Sequence, residues 1–163
     1  MTMIIDGTNG LTFNNATTQN SAGQILQVVQ AVNSTATSTT GGPVDTGLTA
    51  SITPKFSTSK ILVVYTHALS AYRSDDLNYA YVYLYRGATL LNTQSGMLYT
   101  PVNLIQASVG FSYLDSPATT SATTYKTQFA SRTASGSAYV TVNKSNGGGE
   151  TTSSSIILME IAG

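Results

Sequence analysis

Chemistry in this chain rests on very few residues. His67 is the only histidine, in "VVYTHAL". A histidine base needs a nucleophile and an orienting acid within hydrogen-bond reach. Serines abound, and Asp75 and Asp115 are acids that a triad would draw on. No Gly-x-Ser-x-Gly elbow is present, and no spacing selects a partner. Within an apolar strand, His67 reads as a satisfied core or interface residue. Asp75 and Asp76 are adjacent in "YRSDDLN". Two such carboxylates, with backbone carbonyls, suit calcium. In a loop they more commonly form a solvated turn, and no metal is expected. Asp6, Asp45, Asp115 and Glu150 all fall near turns or loops, without the pairing that glycoside hydrolysis needs.

Glu160 is the anomaly, between Met159 and Ile161 in "IILMEIA". A buried carboxylate is costly unless paired. It either meets a Lys or Arg of a neighbouring strand or subunit, or points outward near the chain end; the outward placement is the expectation. "SNGGGE" lacks the strand-to-helix setting of a phosphate loop and reads as a hairpin loop. The inventory predicts a protein that is not an enzyme and takes no cofactor.

The elements that would position these residues are strands. The 163 residues fit one domain with a real core. Charged residues make up 9% and the formal net charge is zero, against about 25% charged in typical soluble proteins. The 26 threonines and 20 serines supply a polar but uncharged surface instead. That composition suits a protein that works outside a cell. The basic residues are scattered (Lys55, Lys60, Arg73, Arg86, Lys126, Arg132, Lys144), which argues against nucleic acid as a partner. Without cysteine, no disulfide staples the fold. A large core or oligomerisation must then stabilise it. No apolar run reaches membrane-span length, so no membrane insertion is expected. "MTMIIDGTNG" lacks the grammar of a signal peptide. Release by host lysis is the expected route to the outside.

Residues 1–23 read as a short leader, with the turn signal "DGTNG" between the apolar pieces Met3-Ile5 and Leu11-Phe13. Residues 24–163 read as one domain of consecutive strands. These are "GQILQVVQAV" (23–32), "GLTASITP" (47–54), "KILVVYTHAL" (60–69), the tyrosine strand from 78, "ATLLNTQ" (88–94), "NLIQASVGFSYLD" (103–115), "TTYKTQFAS" (123–131), "SAYVTVNK" (137–144) and "SIILMEIA" (155–162). Polar loops at 34–44, 116–122 and 145–154 separate some of them. No segment shows a 3.6-residue period. About 8–10 strands with turn signals between them predict an all-β antiparallel sandwich, jelly roll or barrel. The last strand is the most hydrophobic and is expected in the middle of a sheet.

"IIDGTNGLTFNNATTQNSAG" (4–23) resembles a short segment that recurs in tail-fibre and other virion proteins of tailed bacteriophages. The rest is similar to the small β domain of many phage structural proteins. The carrying pieces are the "GQILQVVQAV" opening, "SKILV", "DSPATTSATTYK" and the closing "SIILMEIAG". Such domains look like the jelly rolls of the tumour-necrosis-factor and complement-globular-head type. The resemblance implies a homotrimeric virion protein, anchored to other virion proteins through residues 1–23, with Ile4, Ile5, Leu11 and Phe13 as its apolar contacts. Two positions on the particle fit. One is a tail-fibre or spike-tip component contacting the host surface, with a glycan as its external ligand. The other is a capsid decoration (cement) protein stabilising the head shell. Polar loops at 33–46, 70–78, 94–102 and 145–154 would carry the contacts of the first.

"NYAYVYLYRG" (78–87) puts Tyr79, Tyr81, Tyr83 and Tyr85 on one strand face and Ala80, Val82 and Leu84 on the other. The small face is expected to point inward. Tyrosines are enriched where protein meets protein, and an exposed aromatic patch of this size is rare on a monomer. The tyrosine face, joined by Tyr125 and Phe129, is therefore expected at a subunit interface, ahead of intramolecular packing and a ligand platform.

Overall fold

The computed structural model describes residues 4–6, 10–12, 18–19, 23–73, 78–96, 98–100, 103–132, 138–144 and 152–163. Three short strands, β1 (Ile4–Asp6), β2 (Gly10–Thr12) and β3 (Thr18–Gln19), form a sheet of their own in the order β1-β2-β3. β1 and β2 pair antiparallel, Ile5 opposite Leu11. Phe13, Asp75 and Asp76 lie outside the described residues.

The remaining strands build a two-sheet sandwich. They are β4 (Ile25–Asn33), β5 (Thr37–Thr39), β6 (Val44–Ile52), β7 (Lys60–Tyr72), β8 (Asn78–Arg86), β9 (Thr89–Gln94), β10 (Tyr99–Thr100), β11 (Leu104–Asp115), β12 (Thr123–Ser131), β13 (Tyr139–Val142) and β14 (Ser154–Ile161). One sheet runs β4-β14-β7-β13-β5, with β11 also on β7. The other runs β10-β8-β12-β6, with β9 also on β8. All these pairings are antiparallel. The partners β4/β14, β6/β12, β7/β11 and β8/β9 are nested along the chain, the innermost being the β8–β9 hairpin. A long antiparallel ribbon wrapped around a core in this way is the jelly-roll arrangement. β14, the most hydrophobic segment, lies between β4 and β7.

Strict alternation makes the core. Ile61, Val63, Tyr65 and Leu69 of β7 meet Ile156 and Leu158 of β14 from one sheet. Leu48, Ala50 and Ile52 of β6, Val82 and Leu84 of β8, and Tyr125 and Phe129 of β12 meet them from the other. Ala80, Val82 and Leu84 point inward, fully buried. Tyr125 and Phe129 do not join the tyrosine face. Register sets Phe129 opposite Val82, on the inward side of the sheet, and both rings are 0% exposed. Their alternation within β12 is the physical reason: the outward positions go to Lys126 and Gln128, opposite Tyr85 and Tyr83.

β5 falls inside what reads as a loop. Its Thr-Ser-Thr sequence has no apolar alternation, and it pairs with β13 with Ser38 Oγ and Thr141 Oγ1 3.0 Å apart.

Candidate functional site

Three buried polar groups consume the residues that looked chemical. His67 is 0% exposed, with Nδ1 2.8 Å from Ser154 Oγ. The Ser154 hydroxyl donates its single proton to Asn143 Oδ1 at 2.6 Å. Ser154 therefore accepts from His67 Nδ1–H, and Nε2 is a bare acceptor without a partner. Burial pushes the imidazole pKa down to about 4. The hydroxyl and the imidazole are thus adjacent, but the proton on Nδ1 keeps the ring from acting as a base toward Ser154, and both groups are buried. Asp115 is committed elsewhere. It accepts Arg86 Nη1 on both oxygens, at 2.9 and 2.8 Å, and Tyr125 Oη at 2.6 Å.

Glu160 is buried, not outward, because its carboxylate organises the loop after β6. Lys55 donates its backbone N–H to Oε1 at 2.7 Å, and Gln27 Nε2 donates to Oε2 at 2.5 Å. Burial raises its pKa, but the hydrogen bonds from Gln27 and the Lys55 backbone N–H outweigh that and hold it below the ordinary value. No Lys or Arg is needed, since backbone N–H groups neutralise a carboxylate well. Among the described residues no cluster of His, Asp or Glu gathers that could hold a metal ion.

The two outward faces of the sandwich differ sharply. On β4-β14-β7-β11, one cross-strand row reads Val28, Met159, Leu62, Leu114. The next reads Gln30, Ile157, Val64, Ser112, and a third Val32, Ser155, Thr66, Gly110. Ile25 opposes Ile161 at the end, where Lys60 is the one charged residue of these rows. Val28 is 55% exposed and Leu114 49%, with Ile25 and Val32 equally uncovered. A strand apolar on both faces belongs in a sheet covered on both sides. "KILVV" and "SIILM" are such strands, yet among the described residues only one side of this sheet is covered.

The tyrosine face is different in kind. Tyr79, Tyr81, Tyr83 and Tyr85 are half-buried along β8. The Tyr81 and Tyr83 rings lie 6.3 Å apart and nearly parallel, at 16°. Arg132 caps the row with its guanidinium 4.8 Å above the Tyr79 ring. Burial, then the crowding of Tyr81 and Tyr85, pushes the Tyr83 hydroxyl pKa up, so it stays a neutral donor.

Beside this row the sheet is irregular. The β12–β6 register slips between Lys126 and Gln128. Gly47 faces that slip with a φ of +78°, a conformation glycine adopts cheaply. A Cβ there would sit 2.6 Å from Asn33 Nδ2, which donates to Thr46 O at 2.8 Å. The slip leaves a hollow of about 180 Å³ lined by Asp45, Gly47, Leu48, Thr49, Lys126 and Thr127. Asp45 Oδ1 accepts from Lys126 Nζ at 2.9 Å and Gln128 Nε2 at 2.8 Å. Those bonds, Gln128 first, hold the Asp45 carboxyl below its ordinary pKa.

Of the expected site residues, the structure thus groups Tyr79, Tyr81, Tyr83 and Tyr85 and separates Tyr125 and Phe129 from them. Asp45, Lys126 and Gln128 were not singled out from sequence, because a register slip between distant segments brings them together. The apolar outer rows did have a signal, the continuous apolar runs of β7 and β14, which reads equally well as complete burial.

Fold and faces define a two-sheet antiparallel β-sandwich with no exposed catalytic constellation among the described residues. No family model matches the chain, and no curated protein matches it. Among solved structures it is similar to a chain of the infectious bursal disease virus Gx strain, with a TM-score of 0.47 and 14% identity, over 94% of this chain and 42% of that one. It is also similar to a mutant VP2 protein of infectious bursal disease virus from derived T=1 particles, with a TM-score of 0.36 and 16% identity, over 90% of this chain and 38% of that one. The chain spans about two fifths of the length of these structures.

Proposed function

We propose that the chain is a non-enzymatic structural protein of a bacteriophage virion that forms a homotrimeric knob on the particle surface. Residues 1–23 tether it to other virion proteins, through Ile4, Ile5, Leu11 and Phe13. The knob serves at a tail-fibre or spike tip and contacts the host surface.

The observation that carries the assembly is the uncovered outer face of β4-β14-β7-β11, with Val28, Met159, Leu62 and Leu114 in one row. Strands about 4.8 Å apart and about eight residues long make four strands a flat area on the order of 500 Å². That is the scale of a subunit contact, about 800 Å² of accessible surface per partner. This face is less polar than the tyrosine face, so it replaces the tyrosines as the proposed subunit interface. The number three and the virion location rest on the resemblance of the leader and the domain to phage structural proteins.

The virion position is tested by copy number per particle. Low copy number, with purified protein slowing phage adsorption as a competitor, supports the tail tip. High copy number, with no effect on adsorption, supports the alternative, a cement protein of the head shell.

A further inference from the structure

We infer that the tyrosine face, together with the hollow at the β6–β12 register slip, is a binding site for a neutral, linear oligosaccharide. This deepens the host-contact reading above, but the site belongs to one chain and does not require assembly.

Two independent features meet here. The first is the ladder of rings. A strand repeats its outward positions every two residues, so Tyr81 and Tyr83 stand 6.3 Å apart and nearly parallel. The face of a pyranose carries C–H groups and its rim carries hydroxyls. A ring of tyrosine stacks on the first and its hydroxyl bonds the second. A regular row of rings matches a ligand that repeats along a line.

The second feature is the hollow. It is concave, floored by Leu48 and Thr127, and rimmed by convergent polar groups, which is the ordinary form of a small-ligand site. Gln128 lies directly opposite Tyr83, and Lys126 opposite Tyr85, so ladder and hollow are continuous. Asp45, Lys126 and Gln128 hold one another in place at 2.9 and 2.8 Å. Lys126 Nζ donates to both Asp45 oxygens, at 2.9 and 3.2 Å, so by donor and acceptor count the group retains the Gln128 carbonyl and one Lys126 proton for a ligand. Backbone geometry fixes the rim, through Gly47 and the Asn33–Thr46 bond.

Charge chooses the ligand class. The one cation and one anion at the rim neutralise each other, and Arg132 at the far end of the row is engaged over the Tyr79 ring, so the rim itself favours neither an acid nor a base. A second copy of the chain fits less well, since this face is studded with hydroxyl, amide and ionic groups and the opposite face is not.

The test is a titration of full-length protein, labelled on its tyrosine rings, followed by NMR. The probes are neutral hexasaccharides of glucose (α-1,4 and β-1,4), mannose and galactose, with a galacturonic acid hexamer as the charged comparison. At least one neutral hexamer is expected to shift the ring signals of Tyr83 and Tyr85. Gln128→Ala and Asp45→Asn, exposed polar changes that keep the fold, are expected to weaken that binding about tenfold each. Tyr83→Ala abolishes it, and Ser108→Ala on the other sheet leaves it unchanged. Light scattering on the same samples reports assembly separately, so binding by a monomer, or a trimer that binds nothing, assigns the failure to the right claim. The inference is overturned if no neutral hexamer shifts those signals, if the acidic hexamer binds in preference, or if binding survives both Gln128→Ala and Asp45→Asn.

Discussion

The Oη of Tyr125 donates to Oδ2 of Asp115 at 2.6 Å, from β12 in one sheet to the end of β11 in the other. Arg86 of β8 closes the same carboxylate from the tyrosine sheet. The three residues clamp one end of the sandwich. Asp115→Ala leaves a buried hydroxyl and a half-buried guanidinium without their partner. Breaking such a group costs about 3–5 kcal/mol. Tyr125→Phe keeps the ion pair and removes one bond, at about 1 kcal/mol. Urea unfolding is expected to rank Asp115→Ala well below Tyr125→Phe. Equal stability of Asp115→Ala and the parent would remove the clamp from the account.

Acid should loosen the fold through His67. Its pKa lies near 6.5 in the unfolded chain and is pushed down to about 4 by burial in the folded one. The unfolded state therefore binds the proton first. Stability is fully present above pH 6.5 and falls as the pH drops toward 4. The loss approaches about 3 kcal/mol once both states are protonated. Glu160, with its folded pKa held below 4.5, adds its own loss only under more acid conditions. The window between pH 6.5 and 4.5 thus isolates the histidine. Chemical unfolding at stepped pH should show the slope in the parent and a flat line in His67→Gln over that window. A slope that persists in His67→Gln assigns it to another group.

Gly47→Ala should destabilise by about 1–2 kcal/mol, since φ is +78° and the new Cβ meets Asn33 Nδ2. Adding Asn33→Ala removes the contact but not the backbone strain, so thermal unfolding of the double variant should recover none of the φ penalty. Full recovery would mean that the clash alone forbids a side chain there.

Much of this fold is legible in the sequence. Alternation in "GLTASITP" and "YAYVYLY" places Leu48, Ala50, Ile52, Ala80, Val82 and Leu84 inward, as found. The apolar "SIILM" run puts β14 in the middle of a sheet. β5 was illegible because Thr37–Thr39 is held by pairing to β13 and not by its own pattern. Tyr125 and Phe129 look like companions of the tyrosines by residue type, but only register decides which face of a strand they share. Glu160 looks misplaced because its partners are the Gln27 amide of a distant strand and the Lys55 backbone N–H of a loop, which no local sequence pattern advertises. Asp45 and Gln128 meet through a two-residue slip, and no local sequence signal marks that slip.

The tyrosine and apolar faces should respond separately to mutation. Tyr81→Ser with Tyr83→Ser is expected to keep the parent's oligomeric state and unfold at nearly the parent's urea midpoint. Monomers from that double variant would return the interface to the tyrosine strand.

Assembly is proposed to run through the outer face of β4-β14-β7-β11. Light scattering of the full-length protein at micromolar concentration measures it most directly, with Val28→Lys and Met159→Lys as variants of the central row. The prediction is a particle of three times the chain mass for the parent and a folded monomer for the double variant. A parent that is monomeric, or a trimer that persists with both lysines in place, would contradict it.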